Sequence, residues 1–138
     1  MDLNFYVNRM VADRWNGVLC TEDETLMPTA EVLGAALREL DARSRTLICL
    51  YGQDGTDLTI GGGAGQYVVF ASTAEEQFWN LVNQAMAPDS GVVLLNTGGQ
   101  EGDFPARQVV TQPHALQAAQ TFLQTGALDD SLCWERQE

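Results

Sequence analysis

VVLLNTGGQEGDFPARQVVTQPHALQAAQTFLQTGALDDSLCW, residues 92–134, is the stretch whose pattern decides the fold. Val92 to Leu95 are four apolar, partly β-branched residues, the signature of a buried strand. Asn96 to Asp103 carry three glycines and no apolar period, which predicts a turn or loop. Arg107 to Thr111 then predict a second strand. From Ala115 the period changes. Ala115, Leu116, Ala118, Ala119, Phe122 and Leu123 recur at spacings of three and four, one face of a helix. Thr111 is placed to cap that helix with its hydroxyl, and Pro113 is tolerated in a first turn whose N–H groups lack helical partners. Gly126 stands where a left-handed glycine would end it. Leu128, Leu132, Cys133 and Trp134 predict a last strand returning to the sheet.

Working outward, the N-terminal half alternates. Leu3, Phe5 and Val7 interleave with Asn4, Tyr6 and Asn8, a period of two that predicts a first strand reaching toward Arg9. Trp15 to Thr21 is a second β-prone run. Its Asn16-Gly17 serves either as a turn inside that run or as the tip of a tight hairpin joining 10–15 to 18–21. Glu22-Asp23-Glu24 follows as an acidic loop. After Pro28-Thr29, Val32, Leu33, Ala36, Leu37 and Leu40 give a helical stripe, with Glu31 and Arg38 at the ends the helix dipole favours. Thr46–Tyr51, Asp57–Ile60 and Gln66–Ala71 are three strands separated by tight turns, hence an antiparallel meander. Ser72 and Thr73, each three residues before a glutamate, form capping boxes ahead of Phe78, Leu81, Val82 and Ala85. The expectation is therefore one α+β domain over 1–138. A mainly antiparallel sheet of five to seven strands packs against about three helices, near 29–42, 73–86 and 112–125.

Charge is the outlier of the composition. Nineteen Asp and Glu face seven arginines and no lysine, a net charge of −12 on 138 residues. Such a chain is repelled by nucleic acid and by anionic membranes, and it is drawn to a basic protein. Cys20, Cys49 and Cys133 are odd in number and widely spaced, which predicts reduced, mostly buried thiols. With one histidine they make no metal motif. No basic-then-apolar leader and no apolar run near the ~20 residues of a membrane span is visible, so a soluble cytoplasmic chain is expected.

Catalytic signatures are missing from the sequence. Gly61-Gly62-Gly63-Ala64-Gly65 is followed by Gln66-Tyr67 and a strand, where a phosphate loop needs Lys-Ser/Thr or a helix. His114 has no G-x-S-x-G or comparable nucleophile motif to serve, and without lysine there is no Schiff-base chemistry. Trp15, Trp79 and Trp134 sit beside apolar stripes and are expected in the core or at its rim.

The 92–134 stretch resembles the C-terminal half of the immunity-protein family numbered one in bacterial polymorphic toxin systems. The matching residues are Gly98-Gly99, Phe104-Pro105 and Ala115, Ala118, Ala119 and Phe122. Thr125-Gly126, Leu132 and Trp134 complete the match. In that family a proline usually follows the helix glycine; here Asp129 or Asp130 stands near that place. The resemblance implies an inhibitor, with no cofactor and no catalysis of its own, that neutralises a cognate toxin, often a deaminase. A toxin acting on nucleic acid has a basic cleft, which an acidic protein fills in place of phosphate. Glu22, Asp23, Glu24, Asp54, Asp57, Glu101 and Asp103 are the expected partner-binding residues, each with a solvated loop charge as the plainer alternative. The competing function is a small-ligand-binding or regulatory domain with the GGGAG turn and Tyr67 at the mouth of a pocket.

Overall fold

A computed structural model describes residues 6–137. The strands are β1 (Val7–Asn16), β2 (Leu19–Leu26), β3 (Leu47–Gly52), β4 (Asp57–Gly63) and β5 (Gln66–Ser72). They continue as β6 (Phe78–Val82), β7 (Val92–Thr97), β8 (Gln100–Pro105) and β9 (Cys133–Gln137). The helices are α1 (Ala30–Glu39) and α2 (Gln112–Thr125), with a single 3-10 turn at Ala106–Gln108. Seven strands form one sheet in the order β2-β1-β3-β4-β5-β6-β9, every pair antiparallel; β7 and β8 make a separate hairpin.

The α+β class, the antiparallel sheet and the 47–72 meander agree with the sequence. Asn16-Gly17 resolves as a hairpin turn, with Gly17 at a φ of 65° between β1 and β2. Of the expected first strand, Leu3 and Phe5 lie outside the described residues. Both remaining helices start and stop as their end residues dictate. Thr29 accepts the Val32 N–H at 3.2 Å, and Gly126 closes α2 at a φ of 74°. Thr111 is the N-cap of α2 but makes no side-chain cap bond; its carbonyl accepts from the Ala115 N–H instead.

The described residues hold two α-helices, not about three. Over 73–86 the capping-box residues build a turn: the Thr73 hydroxyl accepts from the Gln77 N–H at 3.1 Å, and Glu76 adopts a left-handed φ of 63° that no helix tolerates. Phe78–Val82 is then a five-residue strand between β5 and β9. Its stripe suits either structure, and the open ladder of β5 overrides local propensity. Three smaller expectations are also corrected. Asn96–Asp103 is a loop only at Gly98-Gly99, because β7 and β8 pair through to Thr97 and Gln100. Arg107–Thr111 is not a strand: Ala106–Gln108 turns, and only Val110 pairs, with Tyr67. Glu22-Asp23-Glu24 lies inside β2, where Arg9 and Arg14 of β1 supply cross-strand counter-charges.

Both helices pack on one face of the sheet. Met10, Ile48, Leu50, Leu58, Ile60 and Leu81 meet Leu33, Leu37, Phe122 and Leu123 in one buried cluster. Ala115, Ala118 and Ala119 bring α2 close to the strands, and Tyr6 sets its ring edge-on to Phe122 at 5.5 Å. The other face is crossed by the β7–β8 hairpin. It can sit that low because Gly61 has no side chain: a Cβ there would lie 2.6 Å from Thr97 Cγ2.

A buried carboxylate fixes the hairpin tip. Asp13 is 6% exposed. One of its oxygens accepts from the N–H groups of Thr46 (2.7 Å) and Leu47 (3.0 Å). The other accepts from the Thr46 hydroxyl and, at 2.7 Å, from the Trp15 indole N–H. Thr46 Oγ1 in turn accepts from the Gly99 N–H at 3.1 Å, and Gly99 lies flat on Trp15, where a Cβ would fall 2.0 Å from the ring. Asp13→Ala strands several buried donors and should cost about 3 kcal/mol or more. Urea unfolding should show a lower midpoint, and hydrogen exchange should show a faster Gly99 amide; a loss under ~0.5 kcal/mol, the range of an ordinary surface substitution, contradicts this assignment.

Two further carboxylates respond to acid. Burial pushes Asp41 up, but the N–H groups of Arg43, Ser44 and Arg45 and the Ser44 hydroxyl together hold it at about 2. Asp129 is held at about 2 by Ser131, Thr121 and Gln117. Both lie below the ordinary 3.8, so the stability they give is complete above that value and fades as pH falls toward 2. Asp41→Asn should flatten the acid limb of stability between pH 3.8 and 2, read as urea midpoints; an unchanged slope contradicts it.

Candidate partner-binding surface

The face turned away from the helices is polar at one side and aromatic at the other. Strand registers place Glu24, Val11, Cys49, Thr59, Phe70, Asn80 and Glu135 in one row across it. Beside it runs a row through Arg9, Tyr51, Asp57, Ser72, Phe78 and Gln137. Arg9 lies over the Tyr51 ring at 4.6 Å and pairs with Glu24. Burial pushes the Cys49 thiol and the Tyr51 hydroxyl up, and Thr59 hydrogen-bonds the sulfur at 3.8 Å. A thiol kept protonated is a poor nucleophile.

Between this face and β8 lies a groove of about 600 Å³. Phe70, Phe78 and Phe104 give it aromatic walls, Asp103 stands at its edge, and Asn80 and Gln137 are among the amides lining it. Phe78 is 44% exposed. A second hollow of about 520 Å³ shares Phe78 and Gln137 and is edged by Glu75, Glu76 and Arg136. The outer side of the hairpin leaves Val92 and Leu94 exposed opposite Pro105 and Asp103. Alternating residues thus give the hairpin one side on the sheet and one in solvent.

The seven expected acids do not form one cluster. Glu22 and Glu24 share the open face of β2, while Asp23 points to the helix side and pairs with Arg14 (2.8 Å) and Arg45 (3.3 Å). Asp54 closes the β3–β4 turn by accepting from the Thr56 N–H. Asp57 opens β4 on the open face, its carboxyl pushed up by burial. Glu101 and Asp103 sit two apart on the outer side of β8. Exposed ion pairs contribute little stability, ~0–1 kcal/mol each, so their effect here is to cancel charge.

That cancellation is uneven. Residues 1–52 hold eight acids and five arginines; residues 53–138 hold eleven acids and two arginines. Of those two, Arg107 is spent on Glu135 (2.8 Å) and the Met86 carbonyl. Six of those eleven acids, Asp54, Asp57, Glu75, Glu76, Glu101 and Asp103, lie at the β3–β4 and β5–β6 turns and on the hairpin, and Asp129 and Asp130 lie in the α2–β9 loop. The two turns touch, since a Cβ on Gly55 would meet Ala74 at 3.2 Å.

The three phenylalanines were not singled out by sequence. The sequence pattern places Phe78 on a helix and Phe104 in a Phe-Pro pair ahead of a strand, whereas Phe78 opens β6 and Phe104 lies within β8. Reading FWNLV with a period of two would have put Phe78 and Asn80 on one face. The GGGAG segment is not a pocket mouth: Gly61–Gly63 are buried in β4, and Tyr67 is 1% exposed with its hydroxyl accepting from Gln112. Trp15, Trp79 and Trp134 are half-buried, at the rim as expected. The three cysteines are free, but Cys20 is exposed and the others half-buried, less buried than expected. His114 is exposed in the first turn of α2. Among the described residues no group of His, Cys, Asp and Glu could hold a metal ion, and no helix is long and apolar enough to cross a membrane.

No curated protein matches the chain. A family model does, that of Immunity protein Imm1, over residues 21–136, from β2 through nearly all of β9. With that match spanning most of its length, the chain belongs to the Imm1 immunity protein family.

Proposed function

We propose that this protein binds and neutralises a cognate bacterial toxin by placing its acidic, aromatic-grooved face in the toxin's basic cleft. Family membership sets the class of function. The mode rests on one observation: Asp54, Asp57, Glu75, Glu76, Glu101 and Asp103, none of them ion-paired to an arginine among the described residues, border the open sheet face and hairpin, while Asp23 and Glu24 of β2 are matched by arginine. A cleft that binds nucleic acid is built to attract negative charge, so the same field that would bring substrate brings the inhibitor. The toxin in this reading is a nucleic-acid deaminase, as the family resemblance implies. The protein contributes no chemistry of its own and works in the cytoplasm of the producing cell, before the toxin leaves.

The acids should divide by environment. Reversing Asp54 and Glu101 together to lysine should slow association with the toxin domain about tenfold at low salt and flatten its salt dependence. Reversing Asp23 and Glu24, already matched by arginine, should change the rate far less. Stopped-flow association across a salt series separates the two. Equal rates for all forms, or the larger effect from Asp23 and Glu24, contradict the proposed face.

A further inference from the structure

We propose that the groove walled by Phe70, Phe78 and Phe104 is the seat of a guanidinium or ammonium side chain projected by the partner, with Asp103 as its counter-charge. This rests on the partner reading above and adds the chemistry of its central contact. The lining carries the argument. Its aromatic faces attract a cation through their quadrupoles. Its one ionisable residue is Asp103, at the rim on the outer side of β8, and the rest of its polar residues are amides, Asn80, Gln108 and Gln137. Amide oxygens and a carboxylate accept the fan of N–H groups that an arginine presents. An anion would meet no cation in this lining. Arg107, next to Gln108 in sequence, is held by Glu135 and the Met86 carbonyl. The adjoining hollow shares Phe78 and is edged by Glu75 and Glu76 together with Arg136, two acids to one cation. An open cleft of this size receives a side chain and leaves its backbone outside. That is the geometry in which a buried aromatic–arginine contact dominates an interface.

Phe78 and Asp103 are both exposed, so neither substitution should unfold the chain. Unchanged thermal midpoints check this. In calorimetry with the toxin domain encoded beside this protein, Phe78→Ala and Asp103→Asn should each weaken binding about tenfold or more. The double variant should lose less than the sum of the two, because both touch one group. Wild-type affinity in both variants overturns the groove while leaving the inhibitor reading intact. Loss in Phe78→Ala alone means an apolar side chain fills the groove and also overturns the proposal. A second arm needs no toxin. N-acetylarginine methylamide titrated into the whole protein should move the ring-proton resonances of Phe78 and Phe104. N-acetylleucine methylamide should not, and Asp103→Asn should weaken the response. Equal responses to the two amides, or none to either, overturn the proposal even if no toxin binds.

Discussion

The Asp13 carboxylate is the constraint from which the rest of the open face follows. A buried charge is tolerated only when hydrogen bonds replace its water, and here they come from Trp15 on the same strand and from Thr46 and Leu47 some thirty residues on. Thr46 passes the connection on to Gly99 at the tip of the hairpin. A two-stranded hairpin is marginal by itself. This one is anchored at its tip by the Thr46–Gly99 bond and the Trp15 ring, along its length by Thr97 on Gly61, and at its base by the Ala106 N–H on the Gly91 carbonyl. The groove exists because β8 is held above β5 and β6 at that height.

The sheet has two faces with different work. One is covered by α1 and α2 and supplies the apolar burial that folds the chain. The other keeps aromatic and acidic groups in reach of solvent, with only the hairpin across it. Charge follows the same division. The arginines cluster on β1 and around the end of α1, where they meet the acids of β2, an exposed edge strand that such charges protect from pairing with another sheet. Asp57, Glu75, Glu76, Glu101 and Asp103 are left without an arginine partner on the side of the groove. Net charge alone speaks to solubility and encounter; its uneven placement is what gives it a direction.

Much of the fold was legible in local patterns. α1 and α2 were marked by stripes and end residues, and the meander by alternation between tight turns. What was not legible depended on partners distant in sequence. Phe78–Val82 satisfies a helical stripe and a strand equally, and only β5 on one side and β9 on the other decide the matter. β8 carries one glycine, Gly102, and two acids in a stretch that has no apolar period, because one side of it faces water. The site was less legible still. Single acids could be named, but cancellation depends on register: Glu24 opposite Val11 puts it within reach of Arg9, and nothing near Glu24 in sequence says so. Asp13 carried no signal, since an acid in an alternating strand reads as a solvent-facing residue until Thr46 is known to cover it.

The central claim is that the partner covers the open, acidic sheet face. Hydrogen–deuterium exchange of the protein alone and bound to its toxin domain tests this most directly. Protection gathered on β8, the β5–β6 turn and the strands under the groove is the predicted footprint. Protection confined to the outer surfaces of α1 and α2, with the hairpin unchanged, would contradict it.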